Sequence, residues 1–162
     1  MKIGVISDTH IPDKAKDIPQ KILEDFKNVD MIIHVGDLVN LGVLNKLKDI
    51  CRNVKAVYGN MDPDEIRKEL PEKEIFNIGN YKVGIMHGYG APNNLIDLLT
   101  SVFKEDKLDL IIFGHSHSAF NEKCNGILFF NPGSPTDKIF SSYNSYGIIE
   151  INDKIEARII RI

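Results

Sequence analysis

The chain has 162 residues, of which 43% are hydrophobic and 27% charged, with a formal net charge of −3. That length is enough for a single domain, residues 1–162, with a sizeable buried core, and the composition excludes a disordered chain. The acidic balance argues against binding a nucleic-acid polymer, which needs clustered Lys and Arg; a small nucleotide stays open as a substrate if a metal supplies the positive charge.

In chain order, Lys2 to Ile6 is a short apolar run and a predicted first strand. Ile18 to Phe26 carries apolar residues at Ile18, Ile22, Leu23 and Phe26, the spacing of an amphipathic helix, with Pro19 acceptable near its start. Met31 to Val35 is a second strand. Val39 to Ile50 is a second helix with Val43, Leu44, Leu47 and Ile50 on one face, and Val54 to Tyr58 a third strand. The order β-α-β-α-β points to a mainly parallel sheet covered by helices. Glu74 to Ile78 and Tyr81 to Met86 then flank Gly79-Asn80 as a hairpin. Asn94 to Phe103 is a further helix and Leu108 to Phe113 a buried strand. The remainder is predicted to be β: Ala119 to Lys123, Ile127 to Phe130, Ser145 to Ile151 and Ile155 to Ile162, with Asn125-Gly126 and Asn152-Asp153 as turns. The expected fold is α/β, a four-layer α/β/β/α sandwich of two mixed sheets flanked by helices.

Polar motifs follow several of these strands. Asp8 and His10 come after the first, Asp37 after the second and Asn60 after the third. His87 follows the strand ending at Met86, while His115 and His117 follow the one ending at Phe113. In open α/β sheets the carboxyl ends of the strands form the ligand crevice, so seven residues with metal-ligating side chains are expected in one place. Glycines adjoin several of them, as the tight turns and close backbone approaches of such a crevice require. A lone Asp-x-His or His-x-His is weak; seven such residues in this context point to a metal-dependent hydrolytic site. His34, inside the second strand, reads instead as a hydrogen-bonded core residue. Cys51 and Cys124 match neither a disulfide framework nor a CxxC pair. The longest apolar runs fall far short of the about 20 residues needed to cross a bilayer, and the polar Ser7-Asp8-Thr9-His10 interrupts any leader-like stretch. Cytoplasmic residence, without membrane association, is the expectation.

Ser-Asp-Thr-His, Gly-Asp, Gly-Asn-x-Asp, His-Gly and Gly-His-Ser-His occur in this order, followed by Asn131-Pro132-Gly133-Ser134. This set resembles the calcineurin-like metallophosphoesterase superfamily, and the short chain is most similar to its small YfcE-type phosphodiesterase branch, which also includes the retromer subunit Vps29. The resemblance spans essentially the whole chain. It implies two divalent metal ions, one held by Asp8, His10, Asp37 and His117, the other by Asp37, Asn60, His87 and His115, with the Asp37 carboxylate bridging. Imidazole and carboxylate ligands suit Mn²⁺, Fe, Zn²⁺ or Ni²⁺; Mn²⁺ is the first expectation, with Mg²⁺ also open.

The implied activity is hydrolysis of phosphate diesters by a hydroxide bridging the two metals, with Asp37, Asn60, Asp62 and His87 as the catalytic group. Two divalent ions carry four positive charges and Asp8 with Asp37 returns two, leaving room for one hydroxide and one phosphodiester anion. One position departs from the pattern. Many relatives carry histidine directly after Gly-Asn, where it protonates the leaving group or stabilises the transition state, and here that residue is Met61. Asp62 remains, expected to orient a ligand or a histidine. Without a dedicated acid, good leaving groups should be favoured. Two other readings stay open: a non-catalytic Vps29-like protein-binding scaffold, and a phosphomonoesterase or nucleotidase using the same metals. The full ligand set favours the enzyme. The expected partner is a small phosphodiester, nucleotide-derived or otherwise, with specificity in loops such as Gly88 to Asn94 and Pro135 to Asn144. An exposed edge of the second sheet is an expected route to a homodimer or higher homo-oligomer.

Overall fold

The computed structural model describes residues Met1–Ile162. Its first sheet is built from β1 (Lys2–Ile6), β2 (Met31–Val35), β3 (Val54–Val57), β9 (Ser145–Ile151) and β10 (Ile155–Arg161), in the order β10-β9-β1-β2-β3. The second contains β4 (Lys73–Ile78), β5 (Tyr81–Met86), β6 (Leu110–Ile112), β7 (Phe120–Cys124) and β8 (Ile127–Asn131), in the order β4-β5-β6-β8-β7. Each is mixed. β1, β2 and β3 run parallel, as do β5, β6 and β8, while the outer pairs are antiparallel. The fold is therefore the expected α/β type with two mixed sheets and flanking helices.

Alternation along the strands divides the core. Ile3 and Val5 of β1, Ile33 and Val35 of β2 and Val57 of β3 join Val83, Ile85, Leu110, Ile112 and Phe130 of the other sheet in one cluster. Successive strand side chains point to opposite faces, so Ile6, Ile32 and Ala56 turn outward to the helices α1 (Gln20–Phe26) and α2 (Leu41–Ile50), meeting Ile22, Leu23, Phe26, Val43, Leu44 and Leu47. On the far side Leu95 and Leu99 of α4 (Leu95–Val102) cover Met86, Ile111, Phe113 and Phe129.

Where boundaries differ from the sequence expectation, local chemistry explains the shift. Helix α2 starts at Leu41 rather than Val39, because the Asn40 side chain accepts the Gly42 N–H at 2.7 Å as its N-cap and Val39 has φ 71°. Helix α1 likewise begins after Pro19. A short helix α3 (Asp64–Glu69) has no counterpart in the predicted elements. It buries only Ile66, so it carries no apolar stripe to reveal it. Asn125 and Gly126 both have positive φ, 50° and 88°, as the predicted two-residue hairpin turn requires.

Candidate metal centre

The parallel strands of both sheets release their loops at one end of the sandwich, and the seven motif residues are found there. The Asp8 N–H donates to Gly36 O and the His10 N–H to Asp37 O, each at 3.0 Å, lacing the loop after β1 to that after β2. His87 Nδ1 lies 2.7 Å from Val35 O, joining the second sheet to the first. The Gly114 N–H donates to His87 O at 3.1 Å, and the His115 N–H to Asp8 Oδ2 at 3.1 Å. Asp8, His10, Asp37, His115 and His117 all have φ between 43° and 69°, the left-handed region that L-residues rarely occupy. Such strain persists where the surroundings over-determine it, and it concentrates at functional sites. Two glycines permit the crowding: a Cβ at Gly59 would fall on the Asp37 carboxylate, and one at Gly114 on the Ser7 hydroxyl.

Ligating atoms of Asp8, His10, Asp37 and His117 lie within 4.8 Å of one another. His10 Nε2 is 3.2 Å from His117 Nε2 and 3.5 Å from Asp37 Oδ2; His117 Nε2 is 3.3 Å from Asp8 Oδ1. Separations of this size are those between neighbouring ligands of a cation bound at about 2.0–2.2 Å. On the other flank of Asp37, His87 Nε2 is 3.3 Å from the same Oδ2, while His115 Nδ1 meets Asn60 Oδ1 at 2.8 Å. Asp37 Oδ1 is taken by the Met61 N–H at 2.7 Å, which leaves Oδ2 facing histidines on both sides.

Three imidazoles are aimed by their other nitrogen. His87 Nδ1 is engaged by Val35 O, His115 Nε2 by Gly90 O at 2.8 Å, and His117 Nδ1 by Asp137 Oδ2 at 2.6 Å. When each ring is neutral, as it must be to bind a metal, its proton belongs on that nitrogen and the opposite one offers a lone pair, the usual arrangement around a metal-binding histidine. Asp8 Oδ1 and His87 Nε2 are buried and make no hydrogen bond. Orphaned polar atoms of this kind are costly unless an ion or water completes them. The residues present therefore fit a divalent cation.

A model of the calcineurin-like phosphoesterase superfamily domain matches residues 1–154. The chain belongs to that superfamily. It is 42% identical to the probable metallophosphoesterase MJ0623 of Methanocaldococcus jannaschii, over 100% of this chain and 82% of the relative. Among solved structures, a novel archaeal phosphodiesterase superposes with a TM-score of 0.79 at 30% identity, covering 100% of both chains. Wild-type Vps29 of Entamoeba histolytica, complexed with Zn²⁺, does so with a TM-score of 0.77 at 25% identity, covering 99% of each.

In this member of the calcineurin-like phosphoesterase superfamily the buried charges are arranged in opposition. Burial alone would raise the Asp8 carboxyl, yet His87, His117 and Ser7 hold it below the ordinary value. Asp37 is likewise held down against burial, chiefly by His87. Burial works against charge on His87 and His117, but Asp8 with Asp37 pushes the first up to about 9, and Asp8 with Asp137 does the same for the second. His34, fully buried, goes the other way to about 3, mainly through desolvation. It is hydrogen-bonded to Thr9 Oγ1 and to the Gly36 N–H, and it stands apart from the ligand cluster.

Asp62 does not face the cluster. Its carboxylate accepts the backbone N–H groups of Asp37, Val39 and Gly59 at 2.7–2.9 Å, tying the loops after β2 and β3 together. It positions the backbone that carries Asp37. Met61 is exposed at the mouth of a cleft of about 600 Å³ that is also lined by His10, Asp37, Asn60, His115 and His117.

Further supports come from two segments, in which only Ser134 was marked by the sequence, within Asn131-Pro132-Gly133-Ser134. Asp137 is the partner of His117, and Ser134 and Thr136 donate to the carbonyls of Asp8 and Thr9 at 2.8 Å each. The Arg67 side chain donates to Asn60 O and Asp62 O, both at 2.8 Å, from helix α3. The only sequence signal for the first was the polar Ser-Pro-Thr-Asp run after Asn131-Pro132-Gly133. Nothing marked Arg67.

Proposed function

We propose that this protein hydrolyses phosphate diesters at a centre of two divalent metal ions. The observation that carries the reading is the pair of unbonded buried atoms, Asp8 Oδ1 and His87 Nε2, flanking Asp37 Oδ2. Asp8, His10, Asp37 and His117 would hold one ion, and Asp37, Asn60, His87 and His115 the other. Ions bound there would neutralise the phosphate and lower the pKa of a coordinated water toward about 7. The chain's own contribution is orientation. Val35 O, Gly90 O and Asp137 fix three imidazole rings, and the Met61 N–H together with the Asp62 tie fixes Asp37. No covalent nucleophile is needed, and Met61 has no proton to give a departing alkoxide. The reading therefore favours diesters with acidic leaving groups.

Mn²⁺ is the metal proposed first, and the donor set of imidazole, carboxylate and amide without thiolate suits Fe, Zn²⁺ and Ni²⁺ as well. The proposed location is the cytoplasm: Cys51 and Cys124 are free thiols, and no helix is long and apolar enough to cross a membrane. Self-association through edge strand β7 would have to place the exposed Glu122 and Lys123 against a second copy, and charges of this kind discourage edge pairing.

The test is hydrolysis of bis-p-nitrophenyl phosphate against the monoester, metal by metal. Asp37→Ala and His87→Ala should each lower kcat by about 100-fold or more, as expected when a metal ligand that acts in concert with others is removed. Full activity in Asp37→Ala sinks the bridging assignment. A well-folded protein inert with every divalent metal favours the Vps29-like scaffold, the reading supported by methionine at position 61; preference for the monoester favours the phosphomonoesterase.

A further inference from the structure

Two of the chain's exposed large apolar side chains, Met61 at 59% and Phe140 at 69%, line the same cleft as the metal-ligand candidates. Neither hangs loosely. The Met61 N–H is bonded to Asp37 Oδ1 at 2.7 Å, and the Phe140 N–H to Asp137 Oδ2 at 3.1 Å, the same oxygen that holds His117 Nδ1. Each apolar side chain is thus carried on backbone tied to a carboxylate in, or directly behind, the ligand cluster. The Phe140 ring stands nearly perpendicular to the His117 ring, at 77° with centroids 6.0 Å apart. Lys14 Nζ lies 5.5 Å from its centroid and is itself held 3.6 Å from Asp137 Oδ1.

An apolar surface rimmed by polar groups marks a ligand groove rather than a random exposure. Here the polar rim is the metal cluster, so the ligand must join an anionic group to an apolar one. With Lys14 Nζ over one face and His117 set nearly perpendicular to it, the Phe140 ring still leaves most of its surface exposed for stacking, and stacking on an aromatic side chain suits flat partners. We propose that Phe140 and Met61 form the subsite for a flat aromatic arm of the substrate, a nucleobase or another aryl ring carried on the phosphate. Phe140 is then a specificity-determining residue. This rests on the diesterase reading above, and it narrows the substrate class from small diesters to aromatic ones.

The experiment uses three phosphonates that cannot be hydrolysed: methylphosphonate, phenylphosphonate and the phosphonate isostere of thymidine 5′-monophosphate. Each is assayed as a competitive inhibitor of bis-p-nitrophenyl phosphate hydrolysis by the metal-loaded protein. The aromatic pair should inhibit about tenfold more tightly than methylphosphonate, and Phe140→Ala should erase most of that ratio while Phe140→Tyr retains it. A gain for phenylphosphonate alone assigns the subsite to simple aryl groups, and a gain for both extends it to nucleobases. Equal inhibition by all three overturns the subsite and leaves the diesterase reading standing. Absence of any hydrolysis overturns the diesterase reading itself, and binding is then read without turnover. With methyl-labelled methionine, the Met61 signal, assigned through Met61→Leu, should move on titration with the aromatic phosphonates and not with methylphosphonate. An unmoved signal overturns the subsite.

Discussion

Asp137 shows how a single residue can set the chemistry of another. His117 Nδ1 lies 2.6 Å from Asp137 Oδ2, so the ring presents Nε2 to Asp8 and His10. The same carboxylate accepts the Ile139 and Phe140 N–H groups at 3.0 and 3.1 Å, and its pKa is lowered to about 2, with His117 and these N–H donors outweighing the effect of burial. Asp137→Asn removes the charge while keeping one acceptor oxygen and nearly the same volume. Outer partners of metal-bound histidines are worth roughly 10–100-fold in metal affinity, and a loss in that range is expected. Calorimetric titration with Mn²⁺ or Zn²⁺ measures it. Unchanged affinity would falsify the role of Asp137 in aiming His117 and leave it as a loop anchor only.

Elements, rather than side chains, explain why these ligands converge, and Asp62 is the clearest joint between two of them. Its carboxylate gathers three backbone N–H groups from the loops after β2 and β3. Asp62→Ala would strand those donors, each costing about 1–3 kcal/mol when buried without an acceptor, so a loss of about 3 kcal/mol or more is expected in urea unfolding. A loss below about 1 kcal/mol would mean that water replaces the carboxylate. The strand ends carrying the ligands were legible in sequence, because each apolar run stops abruptly at a polar residue or a glycine, with glycine adjoining the ligand after every such strand but the first. Helix α3 was not, since six residues with one buried position have no period to read. The contacts of Ser134 and Thr136 with the β1 loop were hidden for a different reason. They join positions more than 120 residues apart, and a polar turn looks the same in sequence whether it faces water or props up a site. The direction of Asp62 belongs with these: its place beside Asn60 was visible, but not that its oxygens turn toward backbone.

For the whole molecule, the metal centre is also a store of opposed charge, and this predicts how stability responds to pH when metal is withheld. His87 and His117 are raised to about 9 by the neighbouring carboxylates, against burial. A histidine whose folded pKa lies above its unfolded value near 6.5 adds stability that is complete below pH 6.5 and is lost as pH climbs through about 9. His34 has the opposite sign. Lowered to about 3 by burial, it is neutral in the fold, so its contribution is present above about 6.5 and fades as pH falls toward 3. The protein in EDTA should therefore be most stable near pH 6–7 and lose stability on both sides, with each kcal/mol worth roughly 3 °C in Tm. Bound metal replaces the two histidine protons, so affinity should rise across the alkaline window as the competing protons leave. Adding Mn²⁺ should then flatten the alkaline limb and leave the acid limb nearly in place. Melting curves from pH 4 to 9.5, with and without metal, provide the measurement. An alkaline limb that stays equally steep with and without saturating metal would show that the histidine protons and the metal do not share one site.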